Sequence, residues 1–417
     1  MQDVYVIGAY STRFQKWPDK GFKDLSREAY LGVLADAGLE NGDDIKIGFF
    51  GNCGMGSWGQ ACVRGQVCFT PLVQEGLFPE RVPLVNVEGA CATASMAFNG
   101  AWKEILAGQA EVTLAMGVEK TFIPDDPEKM MALFAAGIDQ LDPEEWQDYY
   151  RRMGDQAGKP FETGPGRTIF MDTYVMQAAY HMKAHGTTQR QIAAGAAKNH
   201  NMGALNPNAQ YQFELSVDDV LNDREVSWPL TRSMCAPIGD GAAAALLCSA
   251  DYLKTLPKAV QERAVKVKAS ALSGGKYRGL DEPGLTRIAA RKAYKQAGVG
   301  PDDIDVAEVH DATSFCEIYQ VEMLEFCAEG KGGPFVEEGN TMLDGKIPVN
   351  TSGGLVSKGH PVGATGLSMI HELTTQLRGE AGPRQVKNAR LALAENGGGV
   401  IGFEEAAACV TILERRD

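Results

Sequence analysis

The sequence predicts an α/β protein built twice over: two similar mixed-sheet halves in a layered α-β-α-β-α arrangement, with an inserted loop domain. Three observations carry this. Apolar strand-like runs alternate with amphipathic helical stretches. The same ordered set of elements recurs after about residue 263. One long stretch, about 120–232, has no counterpart in the second half.

The opening strand "VYVIGAYS" is matched by "VKVKASALS" from Val265. "LSREAYLGVLADAGLENGDDIKIGFFG" from Leu25 is matched by "LTRIAARKAYKQAGVGPDDIDVAEVHD" from Leu285. Each has small and apolar residues at three- and four-residue spacing and ends at Ala-Gly (Ala37-Gly38, Ala297-Gly298), where glycine suits a left-handed cap. Each then carries Asp-Asp-Ile (Asp43 to Ile45, Asp302 to Ile304) ahead of a short strand. "VPLVNVEGAC" is echoed by "IPVNTSGGL" from Ile347, and a small-residue helix and another strand follow each. In the second half these are Thr365 to Leu377 and Ala389 to Glu395.

This divides the chain into residues 1–262, interrupted at about 120–232, and residues 263–417. The interruption is rich in Met, Trp, Tyr and charge and reads as a lid or specificity loop over a site. Its acidic and aromatic run around Glu144 to Tyr150 reads as a solvated helix face rather than a partner-binding patch.

The 417 residues are 44% hydrophobic and 23% charged, an ordinary globular composition. A net charge of −14 argues against nucleic acid as the main partner. It leaves room for a local Lys/Arg cluster holding phosphates. No apolar run approaches a membrane span and the amino terminus lacks a secretory pattern, so a cytoplasmic protein is expected. Among nine cysteines there is no CxxC pair. Cys53, Cys62 and Cys68 fit no common zinc spacing, so free thiols and no metal are expected.

Chemistry concentrates at a few positions. Cys91 stands between a strand and a helix, beside the unpaired N–H groups of the helix end, an environment that favours thiolate. A cysteine among alanines is otherwise a small buried hydrophobe. "NTSGGLVSKGHPVGATG", Asn350 to Gly366, puts His360 in a glycine-dense loop that the repeat sets opposite Cys91. There an imidazole can take the thiol proton and later donate to an oxyanion. His310 follows the strand "DVAEVHDA" at its carboxyl end, where α/β sheets place ligands. "GGGVIG", Gly397 to Gly402, matches GxGxxG, but the fifteen residues after it leave no room for a dinucleotide fold.

Cys91 in its setting, His310-Asp311, the Gly359-to-Gly366 loop and the late Gly-Gly-Gly together resemble the thiolase superfamily. More narrowly, the chain is similar to the sterol-carrier-protein-type and archaeal acetoacetyl-CoA thiolases. "AAKNHNMGALNPNAQ" (Ala196 to Gln210) and "PLTRSMCAPIGDGAAAALL" (Pro229 to Leu247) support this. The likeness covers nearly the whole chain and is weakest from Leu141 to Gly166.

The resemblance implies a nucleophilic Cys91 with His360 as its base. It implies oxyanion holes drawn from His310, His360, the Cys91 N–H and a glycine N–H near Gly397. It also implies a loop at Gly359, Gly363 and Ala364 against substrate. Coenzyme A would be a substrate under the inserted loop, with no covalently bound cofactor. The expected partners are a second copy of the chain and a small zinc-ribbon/OB-fold subunit that would hold any zinc.

One departure matters. Thiolases carry a second cysteine as acid/base, and here Glu395 and Ala312 occupy the two positions where it occurs. Glu395 with a raised pKa, a displaced Cys316, or a substrate giving a stabilised carbanion would each answer the loss. The resemblance implies cleavage or formation of a 3-oxoacyl-CoA. Overall likeness extends to the benzoylsuccinyl-CoA thiolase branch, which would yield benzoyl-CoA and succinyl-CoA. The alternatives are a thiolase-fold retro-aldolase acting on a 3-hydroxyacyl-CoA, which Cys91 counts against, and a non-catalytic scaffold.

Overall fold

The computed structural model describes residues 2–162 and 168–416. Residues 163–167, at the end of the least family-like stretch and within the 120–232 insertion, lie outside the described residues.

The duplication is visible in the strand order. The first half contains β1 (Val4–Ser11), β2 (Ile47–Gly51), β3 (Leu84–Val87), β4 (Val112–Lys120) and β5 (Asp240–Ser249), arranged β3-β2-β4-β5-β1. The second contains β6 (Val265–Gly274), β7 (Val306–Glu308), β8 (Leu391–Gly398) and β9 (Ala407–Arg415), arranged β7-β8-β9-β6. Val349 adds a parallel bridge to Ala307 where β3 pairs with β2 in the first half. In both halves the inner pairing is parallel and the pairing to the last strand antiparallel.

The two half-sheets join through β1 and β6, where Tyr5 pairs with Lys266 and Val6 with Val265, giving one nine-stranded sheet. The repeat-related helices α1 (Phe22–Ala37) and α3 (Leu285–Ala297) cover the outer faces. Both end as the sequence predicts, at Gly38 (φ +67) and Gly298 (φ +71). Between the halves lie α2 (Thr93–Leu106) and α4 (Thr365–Arg378), in a common core with Ala243, Ala245 and Leu247 of β5. The alternate β5 residues Ala242, Ala244, Leu246 and Cys248 face α1. A period of two with both faces apolar explains why "AAAALLC" is a central strand.

The insertion is helical, with helices at Pro127–Ala135, Pro143–Ala157, Ile169–His185 and Gln189–Ala204. The aromatic run corrects the expected solvated face. Glu144, Glu145 and Asp148 are exposed, but Trp146, Tyr149 and Tyr150 are buried with Leu280 and Phe403. Tyr150 Oη donates to the Gly402 carbonyl at 2.6 Å, and Tyr149 Oη to that of Arg278 at 2.6 Å. These anchors tie the insertion to the loop after the late glycines and to the segment that follows β6. After Gly398 the chain turns and closes with β9 rather than a helix, as expected of a non-dinucleotide segment.

Candidate active site

β3 leads to Gly89 and a short turn, Ala90–Ala92, which delivers Cys91 to the start of α2. Ala90 has φ +47, uncommon for a residue with a Cβ. The turn is held from three sides. Ala90 N–H donates to Glu88 Oε1 at 2.6 Å, Gly89 N–H to Thr93 Oγ1 at 2.8 Å, and Cys53 Sγ to the Ala90 carbonyl at 3.1 Å.

The second half supplies the facing loop. Asp311 Oδ1 accepts from Leu355 N–H at 2.6 Å, tying the end of β7 to the segment that leads to His360. The loop settles on the ends of β2 and β4 because glycines leave room. A Cβ on Gly117 would collide with the Gly363 carbonyl, and one on Gly363 would lie 2.9 Å from the Val118 carbonyl.

In this arrangement the Cys91 thiol donates to His360 Nε2 at 3.1 Å. His360 Nδ1 lies 2.7 Å from Thr365 Oγ1, whose own proton goes to the Pro361 carbonyl at 3.1 Å. Nδ1 therefore donates, and Nε2 is left as acceptor for the thiol, a tautomer assigned from the network. Burial pushes the Cys91 thiol up to about 12. Burial, with His310 and Lys358 nearby, holds His360 well below its ordinary value. The resting pair is thus neutral thiol and neutral imidazole. This corrects the expected thiolate: the helix end is present, but loss of water outweighs it.

His310 stands beside this pair, its ring centroid 5.2 Å from that of His360. Its Nδ1 accepts from Asn396 Nδ2 at 3.3 Å, and Asn396 Oδ1 accepts from Ser95 Oγ at 2.9 Å, which orients the amide. The His310 proton is thereby left on Nε2. Burial lowers its pKa to about 4, so the ring is a neutral donor near pH 7. Nothing in the sequence singled out Asn396 or Thr365. Their only signal is position, next to Glu395 and inside the His360 loop.

Cys91 and His360 open on a cavity of about 610 Å³. Much of its wall comes from the insertion: Met131, Leu133, Phe134, Phe170, Met171 and Val226. Arg64 and Arg224 also line it.

Two family models cover most of the chain: the thiolase N-terminal domain over residues 4–223 and the thiolase C-terminal domain-like model over residues 283–415. The chain belongs to the thiolase family. It is an enzyme of the acyltransferase kind. It is similar to an acetyl-CoA acetyltransferase of Methanothermobacter thermautotrophicus, 38% identical over 96% of this chain and 98% of that one. It is similar to benzoylsuccinyl-CoA thiolase subunit BbsB of Thauera aromatica, 29% identical over 92% and 91%. Its fold is shared with a solved Ltp2-ChsH2(DUF35) aldolase, at TM-score 0.77 and 22% identity, covering 100% and 98% of the two chains.

For this thiolase the structure brings Cys91, His360 and His310 together and sets other expected residues apart. Glu395 is buried on the opposite face of β8 from Asn396. Its oxygens accept from Thr286 Oγ1 and from the His310 backbone N–H, both at 2.9 Å, and it does not line the cavity. Burial, with Glu405 nearby, pushes it up to about 8. The expected proton carrier lies beneath His310, hydrogen-bonded to its backbone. Cys316 is also buried away from the cavity, 3.4 Å from Thr313 Oγ1. Ala312 does line it.

Gly359 (φ +106), Gly363 and Ala364 are buried within the loop and, like His310, do not line the cavity. The closest approach to the nucleophile turn is by Gly398, one residue past the expected Gly397. A Cβ there would collide with the Ala92 amide and lie 2.5 Å from Cys91 N.

Cys53 lines the cavity, Cys62 is exposed and Cys68 is buried, so the three do not form a ligand set. Among the described residues, one ligand atom each of Cys91, His310 and His360 lie within 4.8 Å of one another. A thiophilic ion fits that spacing but would displace the thiol–imidazole hydrogen bond. No helix among the described residues is long and apolar enough to cross a membrane.

Proposed function

We propose that this chain cleaves a 3-oxoacyl-CoA with coenzyme A, or runs the reverse Claisen condensation, through an acyl group carried on Cys91. The observation that carries this is the 3.1 Å hydrogen bond from Cys91 to His360, with a neutral His310 donor beside it. His360 Nε2 takes the thiol proton as sulfur attacks the keto carbon. Coupling the transfer to attack avoids a free thiolate in a site that disfavours it. His310, His360 and backbone N–H groups at the Cys91 turn serve as oxyanion donors. Loss of the Cα–Cβ bond leaves acyl-Cys91 and an acyl-CoA enolate, and coenzyme A then collects the acyl group.

The Met- and Phe-rich wall suits a bulky or aromatic acyl group. Arg64 and Arg224 are cations within reach of the same space, fitted to a substrate carboxylate or to coenzyme A phosphates. The likeness to a benzoylsuccinyl-CoA thiolase subunit is in keeping with 2-benzoylsuccinyl-CoA as such a substrate. The word "subunit" in that relative's name, and the DUF35 component named with the solved aldolase, support a partner chain for this one, proposed here as a small zinc-ribbon/OB-fold subunit in the cytoplasm.

A homodimer is supported by β3. It is the free edge of the sheet and leaves Val85 39% exposed, an edge that proteins rarely leave uncovered.

Intact-protein mass after brief exposure to aliphatic, aromatic and dicarboxylic 3-oxoacyl-CoA esters tests the reading. A substrate-sized adduct absent from Cys91→Ala is expected. Cleavage of a 3-hydroxyacyl-CoA that survives in Cys91→Ala, with no adduct on wild type, would sink it in favour of the retro-aldolase.

A further inference from the structure

Carbon–carbon cleavage leaves an electron pair on the α-carbon of the departing acyl-CoA, and that carbon must receive a proton. Glu395 and Cys316 do not reach the cavity, so the donor must be sought among the titratable groups of its wall. Most are already engaged. His360 is held between Cys91 and Thr365. Cys53 donates to the Ala90 carbonyl, Cys235 Sγ lies 3.5 Å from the Thr231 carbonyl, and Glu88 accepts from Ala90 N–H on an exposed rim. Arg64 donates to the Asn52 carbonyl, and Arg224 is exposed.

Tyr174 differs. It sits in the Ile169–His185 helix beside Phe170 and Met171, its ring packed against the central core. Among the described residues its hydroxyl has no hydrogen-bond partner, although it lines the same cavity as Cys91, His360 and Ala312. Tyr174 is only partly buried, so a phenol proton that no protein group takes is open to the cavity.

We propose that Tyr174 is the catalytic acid that delivers a proton to the α-carbon of the departing acyl-CoA. This rests on the thiolase reading above. As the Cα–Cβ bond breaks, its electron pair moves into the enolate. The Tyr174 O–H bond then breaks, its proton forms the new Cα–H bond, and phenolate remains. Incoming coenzyme A gives its thiol proton to that phenolate, and its sulfur attacks acyl-Cys91. The Cys91 sulfur leaves as thiolate and recovers its proton from His360. No oxidant or further reactant is required. Burial, with the Cys316 and Cys91 thiols and then Glu405 and Glu395 nearby, holds the phenol well above its ordinary pKa. It therefore stays protonated until a carbanion, a far stronger base, draws the proton away.

The test separates proton transfer from acyl transfer. Acetyl-CoA and succinyl-CoA are each incubated with the enzyme in D2O, and with dephospho-CoA in water. Deuterium at the α-carbon reports the first process in reverse, the small phenolate fraction of Tyr174 taking an α-proton and the phenol returning a deuteron. Exchange of the acyl group onto dephospho-CoA reports the second, in which no carbanion forms, the phenol keeps its proton and His360 alone carries the proton between Cys91 and the coenzyme thiols. In Tyr174→Phe, acyl exchange is expected to stay within about threefold of wild type while deuterium incorporation falls at least about 100-fold. Cys316→Ala is expected to keep both.

Deuterium incorporation at the wild-type rate in Tyr174→Phe overturns the proposal. So does loss of both processes in that variant, which would make the phenol a positioning group. Loss of deuterium incorporation in Cys316→Ala would transfer the role to that thiol. Wild type without acyl exchange would instead overturn the thiolase reading itself.

Discussion

Asn396 Nδ2 stands 3.3 Å from His310 Nδ1, and this contact decides which edge of the imidazole carries its proton. Asn396 comes from β8 and His310 from the end of β7, adjacent strands of the second half, while Ser95 of α2 in the first half orients the amide. The proton-bearing edge of this ring is thus set by three elements.

Replacing Asn396 with Asp puts an acceptor where a donor stands. The ring proton moves to Nδ1, and Nε2, the oxyanion donor of the proposed mechanism, loses its hydrogen. The expected result is a fall in kcat of about 10²–10³, the scale for loss of one oxyanion donor, with little change in KM. Steady-state cleavage of the accepted 3-oxoacyl-CoA measures it. A kcat near wild type would show that His310 Nε2–H does not hold the oxyanion.

Cys91 is expected to react slowly with iodoacetamide at neutral pH. With its pKa pushed up to about 12, its alkylation rate climbs steadily from about pH 7 to about pH 10. A plateau near neutrality, read by mass on the Cys91 peptide, would mean that the thiolate is already formed at rest.

Glu395→Gln and Glu395→Ala should part company. Glutamine can accept from the His310 N–H and donate to Thr286 Oγ1, so cleavage is expected within about fivefold of wild type, the amide keeping both bonds. Alanine strands the His310 N–H, at a cost of roughly 1–3 kcal/mol, and lowers kcat by loosening the ring above it. A large kcat loss in the glutamine variant would restore Glu395 as a proton carrier.

The same carboxyl makes stability depend on pH. Its ordinary value is 4.5 and its folded value about 8. Between these, the folded chain keeps a proton that the unfolded chain releases, so stability falls as pH rises through this window. Thermal melts should show a shallower decline over that range in Glu395→Gln.

Gly117→Ala is expected to abolish activity and to lower stability by roughly 1–3 kcal/mol, the usual cost of overpacking. The new methyl would meet the Gly363 carbonyl, which is backbone and cannot rotate away, so the His360 loop must lift. Denaturant melts and the Cys91 acyl adduct measure the two effects.

Much of this architecture was legible in the sequence. The Ala-Gly caps at Gly38 and Gly298, the alternation of β5 and the echo at Ile347 each have local causes, periodicity or a left-handed residue. The meeting of Cys91 and His360 was legible because the repeat sets equivalent loops face to face. What stayed hidden depends on the direction in which a side chain leaves its strand. Glu395 and Asn396 are neighbours in sequence, yet pleating sends one beneath His310 and the other to its ring. The resting charge of Cys91 was hidden too, because a helix end is visible in sequence while the exclusion of water from a cleft is not. Trp146, Tyr149 and Tyr150 read as solvent-facing since their partners, Leu280 and Phe403, lie far along the chain.

Cys91 and His360 are 269 positions apart, one in each half of the chain. A nascent chain emerging from the ribosome completes β1 through β5 before His360 has been synthesised. Throughout that interval Cys91 is a thiol with no imidazole to take its proton. The thiol–imidazole pair forms only when the second half docks, so on the proposed mechanism a partly made or truncated chain carries no activated sulfur to react with cellular thioesters.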